Sequence, residues 1–129
     1  MNEHSETVAI KSVAQLIDQY QVGVRSFSGT ALSQSDLQGI ILRGADLSYA
    51  DLSQANLQAA NLRGADLSYA DLEQANLQDA DLRGTLLLGT NFRDVDLSTT
   101  LLQDADYDHT THFPNGFDPV KGGLHPKVD

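Results

Sequence analysis

Eight aspartates are the first residues to invite a chemical reading. Asp36, Asp46, Asp51, Asp66, Asp71, Asp81, Asp96 and Asp106 each stand directly before a large apolar residue. Carboxylates serve as general acids and bases and as ligands of hard cations. Asn56, Asn61, Asn76 and Asn91 occupy the same place, however. A carboxamide carries neither charge nor a transferable proton, so the position asks for an acceptor oxygen rather than for a carboxylate. Asp and Asn bond nearby backbone amides in turns, and that structural role is the one expected here. The glycine-rich nonapeptide of calcium-binding β-rolls is absent. His109 and His112 have a ligand-like spacing, but no cysteine and no fixed helix support them, so solvated loop positions are expected. No serine sits on a nucleophile elbow. No acid, base and nucleophile converge, so the expected catalytic, cofactor and metal sets are all empty, and the chain reads as a non-enzyme. Arg43, Arg63 and Arg83 could hold an anion, with pairing to nearby carboxylates as the preferred role.

The elements that position these residues follow from a repeat. Large apolar residues recur every fifth position: Phe27, Leu32, Leu37, Leu42, Leu47, Leu52, Leu57, Leu62, Leu67, Leu72, Leu77, Leu82, Leu87, Phe92, Leu97, Leu102 and Tyr107. These centres define 17 uninterrupted units over residues 25–109, and in 12 of them Asp or Asn precedes the centre. A small residue, usually Ala, stands two positions before it (Ala45, Ala50, Ala55 and onward to Ala80). On an α-helix five residues turn about 500°, so the centres would form no stripe. On a flat strand an odd step alternates faces, and half the leucines would meet water. The pattern is satisfied only if the chain turns a corner once per unit, with the centre and the small residue pointing inward. The strict fives exclude a leucine-rich repeat, whose leucines are unevenly spaced.

A second period sets the cross-section. Residues 43–62 match residues 63–82 at 17 of 20 positions, differing only at Ser53/Glu73, Ala59/Asp79 and Asn61/Asp81. Twenty residues are four units, hence a square coil, with residues 20 apart stacked at the inter-strand spacing of ~4.8 Å. The repeats then form a rod of about four coils, ~20 Å long.

The run A-D-L-S-Y-A-D-L-S-Q-A-N-L resembles the pentapeptide-repeat proteins, whose consensus is A-(D/N)-L-x-x. The resemblance spans residues 25–109. It implies an all-β solenoid, a right-handed quadrilateral β-helix with tight corner turns; the handedness comes from the family and not from the spacing. The flanks resemble cyanobacterial members: Gln19–Phe27 is similar to their lead-in to the first coil, and Phe113–Pro119 to their closing segment. For most such proteins the family assigns no activity.

Open solenoid ends expose apolar rungs and unpaired edges, so both need covering. Val8, Ile10, Val13, Leu16, Ile17 and Tyr20 recur at helical spacing. A capping helix is therefore expected within residues 1–24, with Thr7 or Ser5 as N-cap and Gly23 as stop. Residues 110–129 hold all three prolines and are expected as a loop cap, with Phe113 and Phe117 as plugs.

Ile41, Leu86, Leu88 and Leu101 break the pattern, being apolar at positions that should face solvent. Leu86, Leu88 and Leu101 form a candidate contact patch, unless a terminal segment bearing Phe113 or Phe117 covers them.

Composition narrows the function classes. A net charge of −10 argues against direct nucleic-acid or anionic-membrane binding. The absence of cysteine excludes disulfides and thiolate sites. No apolar run approaches the ~18–20 residues of a membrane span. The polar, acidic N-terminus lacks a secretory h-region, which points to the cytoplasm. The expectation is a monomeric, non-catalytic structural or protein-interaction module with an unknown protein partner. The alternative is an acidic mimic of duplex DNA acting on a DNA-binding enzyme such as gyrase, as gyrase-protecting members of the family are thought to act.

Overall fold

The computed structural model describes residues 9–128. Residues 20 apart lie side by side in parallel: Ser26 with Asp46, Asp46 with Asp66, Asp66 with Leu86, Leu86 with Asp106. Among the described residues thirteen such single-residue bridges recur, most at an offset of 20. Each wall of the coil is thus one bridge wide, and among the described residues regular strand is confined to two residue pairs near the C-terminus. The four walls carry the columns Phe27/Leu47/Leu67/Leu87, Leu32/Leu52/Leu72/Phe92, Leu37/Leu57/Leu77/Leu97 and Leu42/Leu62/Leu82/Leu102. All sixteen side chains are 5% exposed or less. The seventeenth centre, Tyr107, is half-buried.

Five residues suffice for one wall because nearly every backbone donor in the unit finds a partner. In the unit centred on Leu47, the Asp46 N–H donates to the Arg25 carbonyl at 2.7 Å and the Leu47 N–H to the Asp66 carbonyl at 2.8 Å. The Tyr49 N–H donates to the Ser68 carbonyl at 2.9 Å, and the Ala50 N–H closes the corner on the Leu47 carbonyl at 3.1 Å. The remaining donor, the Ser48 N–H, goes to Asp46 Oδ1 at 3.0 Å. The corner is a turn whose third residue must have positive φ, as in type II turns. Fifteen of the sixteen third residues from Gly29 to Asp104 do, nine of them not glycine.

The exception is Thr99, the only β-branched residue at a third position in this series. Branching at Cβ makes the left-handed region costly. The turn itself survives, with the Thr100 N–H on the Leu97 carbonyl at 3.2 Å. The peptide before Thr99 no longer presents its carbonyl to the coil above, and the Asp79 N–H takes the Thr99 hydroxyl at 3.0 Å instead. Among the described residues the Leu77 N–H has no backbone acceptor and the bridge expected between Asn76 and Asp96 is missing. Val95 stands here above Ala75, which at 5% is more exposed than the other core alanines.

Threonine also replaces alanine at the inward small position, where its hydroxyl must be bonded. Thr85 Oγ1 donates to the Leu82 carbonyl and Thr90 Oγ1 to the Leu67 carbonyl, at 2.7 and 2.8 Å. Thr30 does likewise to the Phe27 carbonyl.

At the N-terminal side, helix α1 spans Val13–Gln21. Thr7 and Ser5, the expected caps, lie outside the described residues. The helix starts later, because Ser12 is extended and its Oγ accepts the Gln15 N–H at 3.1 Å. Gly23, at φ 100°, ends it in a Schellman arrangement: its N–H bonds the Tyr20 carbonyl, and the Val24 N–H bonds that of Gln19. Leu16 is fully buried against the core, and the Tyr20 hydroxyl donates to the Arg43 carbonyl at 2.7 Å.

The C-terminal segment is more ordered than the loop expected from its prolines. One residue is inserted at the Asp108–Thr111 corner, so Asn91 pairs with His112 at an offset of 21 rather than 20. The chain then returns: strand β2 (His125–Pro126) lies parallel to β1 (Asp106–Tyr107). Proline is tolerated there because the flanking His125 and Lys127 amides make the ladder bonds, to the Ala105 and Tyr107 carbonyls. Phe113 stacks on Phe92 at 5.9 Å and on Phe117 at 5.1 Å, with Tyr107 edge-on at 5.4 Å. Leu124, which the pentapeptide pattern does not reach, is buried over the last coil.

Candidate functional site

Because walls repeat every 20 residues, side chains of one kind stack into vertical columns, and each column meets its neighbours according to its own chemistry. The aspartates and asparagines turn inward to the corners. Eleven residues from Asp36 to Asp96 accept the N–H two residues on. Hydrogen bonds from the Ser98 hydroxyl and amide hold the Asp96 carboxyl below its usual range. Thr110 does the same for Asp108. These carboxylates complete the backbone's hydrogen bonding, and their oxygens are not gathered at any common point. Among the described residues no three His, Asp or Glu side chains converge on a metal-sized space. His109 and His112 are exposed.

The glutamine column satisfies itself. Gln34 Nε2 donates to Gln54 Oε1 at 2.8 Å, and Gln54 Nε2 to Gln74 Oε1 at 2.9 Å. The tyrosine column stacks, Tyr49 on Tyr69 at 5.2 Å with rings 17° from parallel. Tyr69 lies over Gly89, where a Cβ would come within 2.4 Å of its ring. Both tyrosines are at least half exposed, so they form an aromatic strip along one edge.

The arginine column lines a shallow groove of about 500 Å³ with Gly64, Gly84, Gln103 and Asp104. Arg83 grips Asp81, Nε to Oδ1 at 2.9 Å and Nη2 to Oδ2 at 2.8 Å. That hydrogen bonding lowers the Asp81 carboxyl below its ordinary value and raises the Arg83 guanidinium. The residue two before Arg63 is Asn61 and that before Arg43 is Ile41, so the same grip is unavailable to them. Neither makes an ion pair among the described residues.

Of the apolar exceptions, Ile41 is 59% exposed, Leu101 40% and Leu86 37%. Leu88 is half-buried. It lines one cavity with Tyr107 of β1, Pro126 of β2 and Val128 beyond it. Phe113 and Phe117 are instead engaged with Phe92, Tyr107 and each other.

The sequence matches the family described as "Pentapeptide repeats (8 copies)" over residues 26–64 and 65–104. Its fold is similar to that of alr5209, a pentapeptide repeat protein from Nostoc Pcc 7120. The TM-score is 0.91 and the identity 53%, over 94% of this chain and 100% of that one. This chain belongs to the pentapeptide-repeat family.

Two further pentapeptide-repeat structures are similar. One, from the cyanobacterium Cyanothece 51142, has a TM-score of 0.67 and 41% identity, over 68% of this chain and 60% of that one. The other, from the Arabidopsis thaliana thylakoid lumen, has a TM-score of 0.65 and 34% identity, over 75% and 61%. No curated protein matches the sequence. In this pentapeptide-repeat chain the described residues include no helix long and apolar enough to cross a membrane. Two features escaped the sequence reading: the Thr99 corner and Leu124. The first has a readable signal, the lone β-branched residue at a third corner position. Leu124 has none, since the inserted residue destroys the period before it.

Proposed function

We propose that this pentapeptide-repeat protein is a monomeric, non-catalytic interaction module, a right-handed quadrilateral β-helix of about four regular coils. Helix α1 is its lid at one end and residues 110–129 close the other. The observation that supports a binding rather than a chemical role is the use of its aspartates. They accept backbone amides at the corners, so their acceptor oxygens complete the turns. The surface is left as rigid columns of repeated side chains, suited to a protein partner that reads spacing along the rod. Leu86, Leu101 and the Tyr49–Tyr69 strip are the exposed apolar elements available to it. Affinity capture from the native cell tests this. One protein retained by the native chain and lost with Tyr49→Ala/Tyr69→Ala supports the reading; identical retention by both removes the strip from it.

The acidic DNA-mimic reading is favoured by the net charge of −10 and by the rod shape. Against it, the repeat aspartates are turned to the backbone and the Arg43/Arg63/Arg83 column interrupts the negative surface. No inhibition of gyrase supercoiling at micromolar protein is the expected result, and inhibition would reinstate the mimic.

A further inference from the structure

The fourth wall carries a feature that the other columns lack. Its side chains after the central leucines are Arg43, Arg63 and Arg83, and the next residues are Gly44, Gly64 and Gly84. A Cβ built on any of these glycines meets nothing within 4 Å, so the floor beside the guanidinium groups is open backbone. The glutamine column on the second wall closes on itself, because each carboxamide both donates and accepts. An arginine column cannot, since a guanidinium has five donors and no acceptor. Stacked one coil apart, at ~4.8 Å, the three also repel one another. Arg83 is relieved by Asp81. Asp81 also acts through space on Arg63, but neither Arg43 nor Arg63 makes an ion pair among the described residues, and their adjacent, like-charged donor groups share one groove in a chain whose net charge is −10.

We infer that the groove beside Arg43 and Arg63 is a binding site for a phosphoryl group, held between the two guanidinium groups. Planar, forked donors match tetrahedral oxyanions in two-pronged fashion, and two such forks a coil apart offer more donors than one carboxylate takes up. The seat is toward Arg43 and Arg63 because the other end of the groove is occupied by Asp104, whose carboxylate lies 3.3 Å from His125 Nε2 and repels a second anion. The phosphoryl group could be free phosphate or be borne by a partner protein, and the chemistry of recognition is the same.

The test uses the full chain at low ionic strength in a chloride buffer. Inorganic phosphate is titrated while the Arg Nε–H signals and the Gly64 and Gly84 amides are followed by NMR. Saturable shifts confined to this edge are expected, with binding about tenfold weaker in Arg63→Gln and Arg43→Gln. Arg63→Lys, which keeps the charge but not the fork, should fall between. Glutamine already occupies position 103 of this column, so the variants should fold, and an unchanged melting curve checks that. Non-saturating shifts, shifts spread over the whole surface, or undiminished binding in Arg63→Gln overturn the inference. A phosphoserine peptide serves as the second arm. Binding tighter than inorganic phosphate assigns the group to a partner, and equal binding assigns it to free phosphate; both uphold the site. Equal binding of the same peptide with Glu for phosphoserine would overturn phosphoryl recognition.

Discussion

The fourth wall at Leu62 and Leu82 and the third wall at Leu77 and Leu97 are built to the same pattern, yet one is closed and the other open. At the fourth wall the Leu62 N–H reaches the Asp81 carbonyl at 2.9 Å and the Gly64 N–H reaches that of Arg83 at 2.9 Å. At the third, both corresponding bonds are missing between Leu77/Asp79 and Asp96/Ser98, and a threonine hydroxyl fills one of them. The leucines are buried in both cases. Burial of the centre therefore does not by itself dock one coil on the next. Docking needs the left-handed corner, which aims a carbonyl along the rod axis, and Gly84 permits it where Thr99 does not.

The largest effect should come from the core of the closed region. Leu67→Ala is expected to cost about 2–5 kcal/mol, because a mid-stack cavity has tight neighbours above and below. Leu97→Ala should cost less, since the open seam can settle into the space, and so should Leu32→Ala near the end. Urea unfolding of the three variants side by side makes the measurement, and equal losses would mean that the seam packs as tightly as the rest.

Opening the closed wall comes next. Gly64→Thr places a branched residue at φ 72° and should cost about 1–2 kcal/mol. Its specific signature is faster hydrogen exchange at the Gly44 amide, whose acceptor is the Arg63 carbonyl. Closing the open wall is the converse. Thr99→Asn, which tolerates the left-handed region, should gain about 0.5–1 kcal/mol and slow exchange at Leu77 and Asp79. If exchange there slows only in Val95→Ala, the bulk above Ala75 holds the coils apart rather than the corner.

The smallest effect is electrostatic. The Asp81 carboxyl is lowered from its ordinary 3.8 by Arg83, so its contribution is full above that value and lost as pH falls through the lowered one. The melting temperature of the native protein should therefore drop on acidification below that value. Arg83→Gln should flatten part of that slope; an unchanged slope would show that the grip adds nothing to stability.

Much of this was legible in the residue pattern. The square coil, the inward leucines and the corner role of Asp and Asn follow from a period of five, because each is a local demand on backbone direction and donor satisfaction. The Arg83 grip was legible too, since Asp81 stands two residues before it while Asn61 and Ile41 precede the other arginines. The cover beside Leu88 was not. It depends on where a segment with an inserted residue returns, and the returning strand at His125–Pro126 follows no repeat.

By itself the sequence determined the unit: which side chain turns inward, where the chain bends, and which residues share a column. Those choices are made within five residues by polarity and turn chemistry. The tertiary structure decided how well each unit docks on the one 20 residues away, because that fit depends on carbonyl direction and bulk across coils. It also decided that Arg43 and Arg63 would line a groove beside glycine backbone without an ion pair among the described residues, since a counter-charge is a matter of what lies nearby in space.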